Sequence, residues 1–214
     1  MKIIRLHLLV AALGLAACAI PFRDQFVRFI RNPEQAVGTK KTVAERIAEF
    51  GPSARQKLAA DFTRIGVPYP PKQIVLVGLK EEDQLEVWVS DGNSKPKHLK
   101  TYPILAASGT LGPKLREGDF QVPEGVYGIE SLNPNSAFHL ALRVDYPNAF
   151  DRENARIEGR TSPGSDIMIH GSSVSVGCLA MGDPAIEELF VLAAETGLEN
   201  IKVILSPVDF RTCA

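Results

Sequence analysis

The sequence predicts an α+β domain, built mainly from antiparallel strands and carrying helices at its periphery. Three segments rich in β-branched and aromatic residues follow one another between residues 73 and 108, separated by charged or turn-forming residues. Apolar residues recur at helical spacing before and after this strand-rich stretch. A chain of 214 residues is long enough to bury one substantial core, so we expect one domain over residues 42–214.

The amino terminus has the pattern of an export signal. Lys2 and Arg5 precede an apolar run from Leu8 to Ala17, which is short for a membrane span. The residues up to Cys18 also resemble a lipobox, so we expect residues 1–17 to be a lipoprotein-type signal peptide and Cys18 to be lipidated. Cleavage without lipidation is the alternative. A tether over 18–41 and an outer-membrane lipoprotein facing the periplasm are then expected, with the membrane contacted through the lipid.

The elements of the domain follow from the pattern in chain order. Apolar residues at helical spacing over 42–65, interrupted by Gly51 and Pro52, predict two short helices packed on the domain. The segments QIVLVGLK, QLEVWVSD and KHLKTYPILAAS predict an antiparallel meander, with Trp88 as a core or sheet-face residue. Strands are predicted over 125–130 and 137–144. A last helix is predicted from Asp183, whose carboxylate would cap it, with Ile186, Leu189, Phe190 and Ala193 facing the core.

Composition excludes several classes of function. Without residues 1–17, the chain has 22 basic and 25 acidic residues, which argues against a nucleic-acid surface. Three cysteines indicate no disulfide framework, although a Cys178–Cys213 disulfide is an alternative to a free thiol. His98, His139, His170 and Cys178 lack the paired spacing of metal ligands, so we expect no metal site.

The segment IMIHGSSVSVGCLAMGD, residues 167–183, contains the candidate catalytic residues. His170 would end a buried strand, and a loop of small residues leads from it to Cys178. An imidazole that takes the thiol proton turns a weak nucleophile into a strong one. Backbone N–H groups at Gly177 and Cys178 could stabilise a developing oxyanion. The residues therefore predict acyl transfer through a thioester, with a buried structural cysteine as the alternative.

This segment resembles the signature of the L,D-transpeptidase catalytic domain (the YkuD-type family), and most closely its YafK-like branch. The resemblance rests on IHG followed by VSVGCLAMGD, and it extends to residues 102–129 and to YPNAFDR at 146–152. It implies the family's fold with peripheral helices and chemistry on peptidoglycan stem peptides at meso-diaminopimelate, without a cofactor. It also implies that Cys178 is the nucleophile, that His170 is the base, and that the carbonyl of Gly171 or Ser172 orients the imidazole.

Two departures from the family pattern leave the reaction open. Val176 stands where the broader family has a second histidine, and the spacer between HG and GC is short. The YafK-like branch is associated with hydrolysis that releases protein from peptidoglycan, so both a transpeptidase and a hydrolase acting on a peptidoglycan-attached lipoprotein are expected outcomes. The non-enzymatic alternative is a peptidoglycan-binding lipoprotein that has lost turnover.

The resemblance implies that the segments carrying several basic residues flank the substrate groove, so these residues are candidates to bind substrate carboxylates. Guanidinium groups match carboxylate geometry, although most surface arginines have no such role. The candidates are Lys114, Arg116, Arg143, Arg152 and Arg160.

Overall fold

The structure is a computed structural model that describes residues 39–212. Residues from Lys41 onward cluster into one compact unit. The predicted signal peptide, the lipidation site Cys18, nearly all of the tether and Cys213 lie outside the described residues, so these predictions remain expectations. In the part of the chain that the structure describes, no helix is long and apolar enough to cross a membrane.

One sheet organises the described residues. Its strands are β1 Gln73–Leu79, β2 Gln84–Ser90, β3 Lys97–Pro103, β4 Ala106–Ala107, β5 Gly125–Ser136, β6 His139–Val144, β7 Met168–His170, β8 Leu179–Ala180 and β9 Ile201–Ser206. Their spatial order is β3-β2-β1-β9-β5-β6-β7-β8-β4. The β1–β9 and β7–β8 pairs are parallel and the other pairs are antiparallel. The predicted fold class and the β1-β2-β3 meander are therefore confirmed.

The long strand β5 joins the two halves of the sheet. Its first residues, Gly125 to Gly128, pair with β9, and the residues from Ile129 onward pair with β6 across two register irregularities. Such irregularities bend a strand and increase its twist. Strand β5 can thus belong to the β1-β2-β3-β9 half at one end and to the half that carries the HG and GC motifs at the other.

The amino-terminal helical segment is one helix, so the prediction of two short helices is wrong. Helix α1 covers Val43–Ile65 and begins with a capping box between Thr42 and Glu45. Pro52 lies inside it and removes one backbone donor. The helix nevertheless continues, because Leu58 and Phe62 on its carboxyl-terminal side are buried in the main core, and this burial outweighs the local cost of proline.

Two further helices complete the domain. Helix α2 covers Ala149–Ile157 and helix α3 covers Asp183–Thr196, and a short 3₁₀ turn spans Leu198–Asn200. Helix α3 packs against α1 and β6, and its predicted core residues Ile186, Leu189, Phe190 and Ala193 are all buried. Trp88 is half-buried on the sheet surface beside the ring of His98, as expected for a sheet-face residue.

Candidate active site

The candidate base and nucleophile lie on neighbouring parallel strands. His170 is the last residue of β7, and Cys178 directly precedes β8. In the parallel pairing of these strands, His170 lies beside Ala180 and Ile169 beside Leu179. The same register continued by one residue towards the amino terminus places Cys178 beside Met168. Side chains two residues apart share a face of the sheet, and the Cα atoms of His170 and Cys178 are roughly 8 Å apart by strand geometry. The register therefore brings both groups to one face.

Burial of the alternate residues fixes which face this is. Leu142, Ile169 and Leu179 are at most 1% exposed and belong to the main core. Because they alternate with Arg143, His170 and Cys178, those three side chains point to the opposite face. The hydrophobic core thus determines the orientation of the candidate catalytic groups.

The imidazole of His170 is buried and oriented by its own backbone neighbour. Nδ1 lies 2.6 Å from the carbonyl oxygen of Gly171, so Nδ1 carries the proton and donates it to that oxygen. This leaves Nε2 as the basic nitrogen. The ring of Phe138 stacks on the imidazole at a centroid distance of 4.7 Å. Burial lowers the pKa of His170, and the hydrogen bond to Gly171, which acts in the opposite direction, has the smaller effect. The ring is therefore neutral at pH 7.

The thiol of Cys178 is half-buried and faces backbone groups at the start of β7 and just before it. Sγ lies 3.5 Å from the carbonyl oxygen of Asp166, and the backbone of Met168 also hydrogen-bonds to the sulfur. Burial and the charge of Asp166 raise the pKa of Cys178, outweighing the Met168 contact and the charge of Lys114. Among the described contacts, none is a hydrogen bond between the thiol and the imidazole. The resting pair is therefore a neutral thiol and a neutral imidazole.

The turn after His170 is fixed by Asp183, a residue whose role the sequence did not predict. The Asp183 carboxylate accepts a hydrogen bond of 2.8 Å from the backbone N–H of Ser172. The prediction that this carboxylate caps α3 is wrong, because the N-cap is Gly182 and the helix start has no side-chain cap. The side chain instead connects the start of α3 to the loop that follows the base.

Both predicted oxyanion donors are occupied in this structure. The backbone N–H of Gly177 donates to Oγ of Ser108 at 2.5 Å, and the N–H of Cys178 donates to Oγ of Ser175 at 3.0 Å. The Ser175 hydroxyl also donates to the carbonyl of Cys178 at 2.6 Å. Neither serine was predicted; Ser108 lies 69 positions from Gly177 in the sequence, so no local pattern connects the two. For either N–H to bind an oxyanion, its serine has to turn aside.

The five predicted carboxylate-binding residues have different surroundings. Lys114 is buried and pairs with Asp119 at 2.6 Å. Arg143 lies 2.9 Å from both Glu130 and Asp166. Arg152 donates to the carbonyl of Pro147, and Arg160 donates to Glu158 and to the carbonyl of Leu115. Arg116 is exposed and takes part in none of the ion pairs between described residues.

Two clefts that share Arg152 and Ser165 contain some of these basic residues. One, of about 680 Å³, is lined by residues that include Glu130, Arg143 and Arg152. The second, of about 720 Å³, is lined by residues that include Arg152 and Arg160. Both reach Ser165, the neighbour of Asp166 in the chain. Three of the predicted carboxylate-binding residues thus line these clefts, whose linings include neither Cys178 nor His170.

The two other histidines within residues 39–212, His98 and His139, contact polar side chains. Nε2 of His98 lies 2.8 Å from the Thr101 hydroxyl, and Nε2 of His139 lies 3.0 Å from the Glu187 carboxylate. Within residues 39–212, no group of three or more metal-ligating side chains converges.

Comparison with known proteins identifies a family and a fold. The family model described as L,D-transpeptidase catalytic domain (YkuD) matches residues 72–204. The protein named "Putative L,D-transpeptidase YafK" of Escherichia coli strain K12 is 41% identical to this chain over 133 residues. The match covers 60% of this chain and 51% of that protein. The protein of the same name from Escherichia coli O157:H7 gives the same values. The chain thus spans about half the length of these curated relatives.

The crystal structure of the helical cell shape determining protein Pgp2 from Campylobacter jejuni matches the fold with a TM-score of 0.51. The sequences are 24% identical, and the match covers 64% of this chain and 48% of that one. The mixed α+β architecture with a large, mostly antiparallel sheet is therefore shared with a solved structure.

Proposed function

The chain belongs to the L,D-transpeptidase catalytic-domain family, and on that premise we propose that it is a cysteine-dependent enzyme of peptidoglycan stem peptides. The observation that carries the proposal is the register of β7 and β8, which supports a base and a thiol on one face. The Gly171 carbonyl adds to it by fixing the tautomer that leaves Nε2 basic. General-base activation of a thiol needs this combination.

The proposed reaction begins with attack of Cys178 on a stem-peptide amide, at the carbonyl of the L-centre of meso-diaminopimelate. Nε2 of His170 takes the thiol proton as the carbon–sulfur bond forms. The tetrahedral intermediate then collapses, the carbon–nitrogen bond breaks, and the imidazolium returns the proton to the leaving amine. A thioester on Cys178 remains. No cofactor takes part in these steps.

The directions of the two pKa shifts support proton transfer that accompanies attack. A raised thiol pKa and a lowered imidazole pKa both disfavour a preformed thiolate–imidazolium pair. The thiol must also leave the carbonyl of Asp166 before its proton can reach Nε2. We therefore propose that substrate binding brings the sulfur to the imidazole and turns Ser108 and Ser175 away from the oxyanion donors.

The acceptor that resolves the thioester decides between two outcomes. An amine of a second stem peptide gives a crosslink or a protein attachment, whereas water gives hydrolysis and releases the attached protein. Glu130, Arg143 and Arg152 give the first cleft a mixed charge, which suits a zwitterionic acceptor or donor group. We propose that both reactions proceed through the same thioester.

We propose that this reaction takes place outside the cytoplasm. The signal peptide and the lipobox ending at Cys18 support an outer-membrane lipoprotein facing the periplasm, where peptidoglycan is accessible. Labelling with radioactive palmitate, with Cys18→Ser as the control, tests the lipid. Label retained by Cys18→Ser would exclude this anchor.

A peptidoglycan-binding protein without turnover is the second candidate function. Two observations favour it, namely Val176 in place of a second histidine and the contact of the thiol with Asp166 instead of His170. Only the enzyme requires a reactive Cys178, so the two candidates predict different effects of its removal.

The test is incubation of the purified protein with sacculi that carry both crosslinks and attached protein, followed by mass spectrometry. We expect a covalent acyl adduct on Cys178 and changed crosslinks or released protein, all lost in Cys178→Ala and retained in Cys213→Ala. New crosslinked dimers would indicate transpeptidation, and released protein without new dimers would indicate hydrolysis. Unchanged profiles with the wild-type protein, together with retained binding, would favour the binding candidate.

A further inference from the structure

We propose that Asp166 and Arg143 are positioning residues that hold the thiol of Cys178 in its resting orientation. This inference rests on the proposed function, because it assigns the two residues a part in preparing the nucleophile. Neither residue needs to touch the substrate for this role. Asp166 acts through its backbone carbonyl, and Arg143 acts through Asp166.

The contact between Asp166 and the thiol depends on an uncommon backbone conformation. Asp166 has a φ of +59°, in the left-handed region that residues other than glycine seldom adopt. Aspartate tolerates this region better than most residues, but the conformation is still unfavourable and persists only when its surroundings enforce it. In this conformation the carbonyl oxygen lies 3.5 Å from Sγ of Cys178.

Arg143 supplies the enforcing contact. Its Nη2 lies 2.9 Å from the Asp166 carboxylate, and its Nε lies 2.9 Å from the Glu130 carboxylate. The Nε group is buried, yet its geometry gives it no aligned hydrogen bond. Because Arg143 pairs with Met168 in the sheet, its backbone is fixed two residues from Asp166. Arg143, whose backbone is fixed in β6, thus holds the carboxylate of Asp166, and the carbonyl of Asp166 holds the thiol.

The arrangement has a chemical consequence for the resting enzyme. The S–H group of Cys178 donates to a carbonyl oxygen, which cannot accept the proton at neutral pH, instead of to the imidazole. Activation then exchanges one hydrogen bond for another, from Asp166 to Nε2 of His170, and no covalent bond changes in that step. The Asp166–Arg143 pair accordingly restrains the thiol until substrate is present.

Two charged groups shift the pKa of the thiol, and both lie in loops. Asp166 is separated from β7 by one residue of loop, and Lys114 lies in the loop between β4 and β5. The imidazole of His170, at the end of β7, lies on the same face of the sheet as the thiol. Lys114 is itself paired with Asp119. Replacing Asp166 or Arg143 changes the charge beside the sulfur in opposite directions, whereas a general loss of structure would affect both variants alike.

The test measures alkylation of Cys178 by iodoacetamide as a function of pH, followed by mass spectrometry of the peptide that contains Cys178. Asp166→Asn keeps the carbonyl and tolerates the left-handed conformation, but removes the charge and the ion pair. We expect its alkylation midpoint to fall by about one pH unit. Arg143→Gln leaves the Asp166 charge uncompensated, so its midpoint should rise. Glu153→Gln removes an exposed carboxylate paired with Arg156 and should match the wild type.

Midpoints that stay at the wild-type value in both variants, or that move in the same direction, would overturn the proposal. Folding is checked separately by circular dichroism, and Asp166→Gly serves as a second variant if Asp166→Asn does not fold. Alkylation needs no peptidoglycan, so failure of the proposed function on sacculi leaves this test interpretable. Arg143 could instead bind only a substrate carboxylate. In that case Arg143→Gln would raise KM and leave the pH dependence of alkylation unchanged, and the proposed positioning of the thiol by Arg143 would be wrong.

Discussion

Gly171→Ala should impair catalysis while leaving the protein folded, because Gly171 has close neighbours on the side where a Cβ would lie. A Cβ at this position would lie 2.6 Å from Oδ1 of Asp183 and 2.7 Å from the carbonyl oxygen of Phe138. The Asp183 side chain can rotate, but the Phe138 oxygen belongs to the backbone. The peptide that carries the Gly171 carbonyl must therefore move, and with it the acceptor of the Nδ1–H group of His170.

The expected magnitudes follow from this geometry. Inserting one methyl group into a packed site costs about 1–3 kcal/mol of unfolding free energy. A displacement of about 1 Å at a catalytic group costs on the order of 100-fold in rate. We therefore expect Gly171→Ala to remain folded at 25 °C while its turnover falls about 100-fold.

Gly159→Ala is the matched control. Gly159 has a φ of +69° and no heavy atom within 4 Å of an added Cβ, so alanine there meets backbone strain of about 1–2 kcal/mol and no clash. Urea unfolding gives the stability of both variants, and product formation on sacculi gives their turnover. If folded Gly171→Ala turns over at the wild-type rate, the Gly171 carbonyl does not orient the base and the reasoning fails.

Three further predictions concern ionisable groups. Burial raises the pKa of Asp119, but hydrogen bonds from Lys114 and from three backbone N–H groups outweigh it and lower the pKa from 3.8 to about 2. This difference corresponds to no more than about 2–3 kcal/mol of unfolding free energy, which is present above pH 4 and lost as pH falls through 2. Urea unfolding should therefore show the stability difference between wild type and Asp119→Asn shrinking over that interval. Because burial lowers the pKa of His170, the acid limb of kcat/KM should have its midpoint below 6.5, and a midpoint above that value would contradict a neutral base. Glu188 is 5% exposed, and its carboxylate accepts hydrogen bonds from Lys100 and Tyr102. Glu188→Ala should therefore lower the free energy of unfolding by about 3–5 kcal/mol, whereas Glu199→Ala, at an exposed position, should change it by no more than about 0.5 kcal/mol. Equal losses in urea unfolding would show that the buried carboxylate and its partners add nothing to stability.

Local sequence rules failed where long-range packing competed with them. Gly51 and Pro52 are ordinary helix-breaking signals, yet α1 continues through both because its later turns are buried in the core. Asp183 before Pro184 is an ordinary capping signal, yet the carboxylate bonds to Ser172 in a loop eleven residues earlier. In each case the free energy gained from a non-local contact exceeded that of the local preference.

The sequence by itself determined the α+β class, the β1-β2-β3 meander, the buried face of α3 and the family, because periodicity and a short contiguous motif encode these locally. Only the tertiary structure decided that β9 enters between β1 and β5, and that Ser108 and Asp166 meet the Gly177–Cys178 segment. Those contacts join residues far apart in the chain, and their formation depends on strand register and core packing. A single sequence contains no local signal for either.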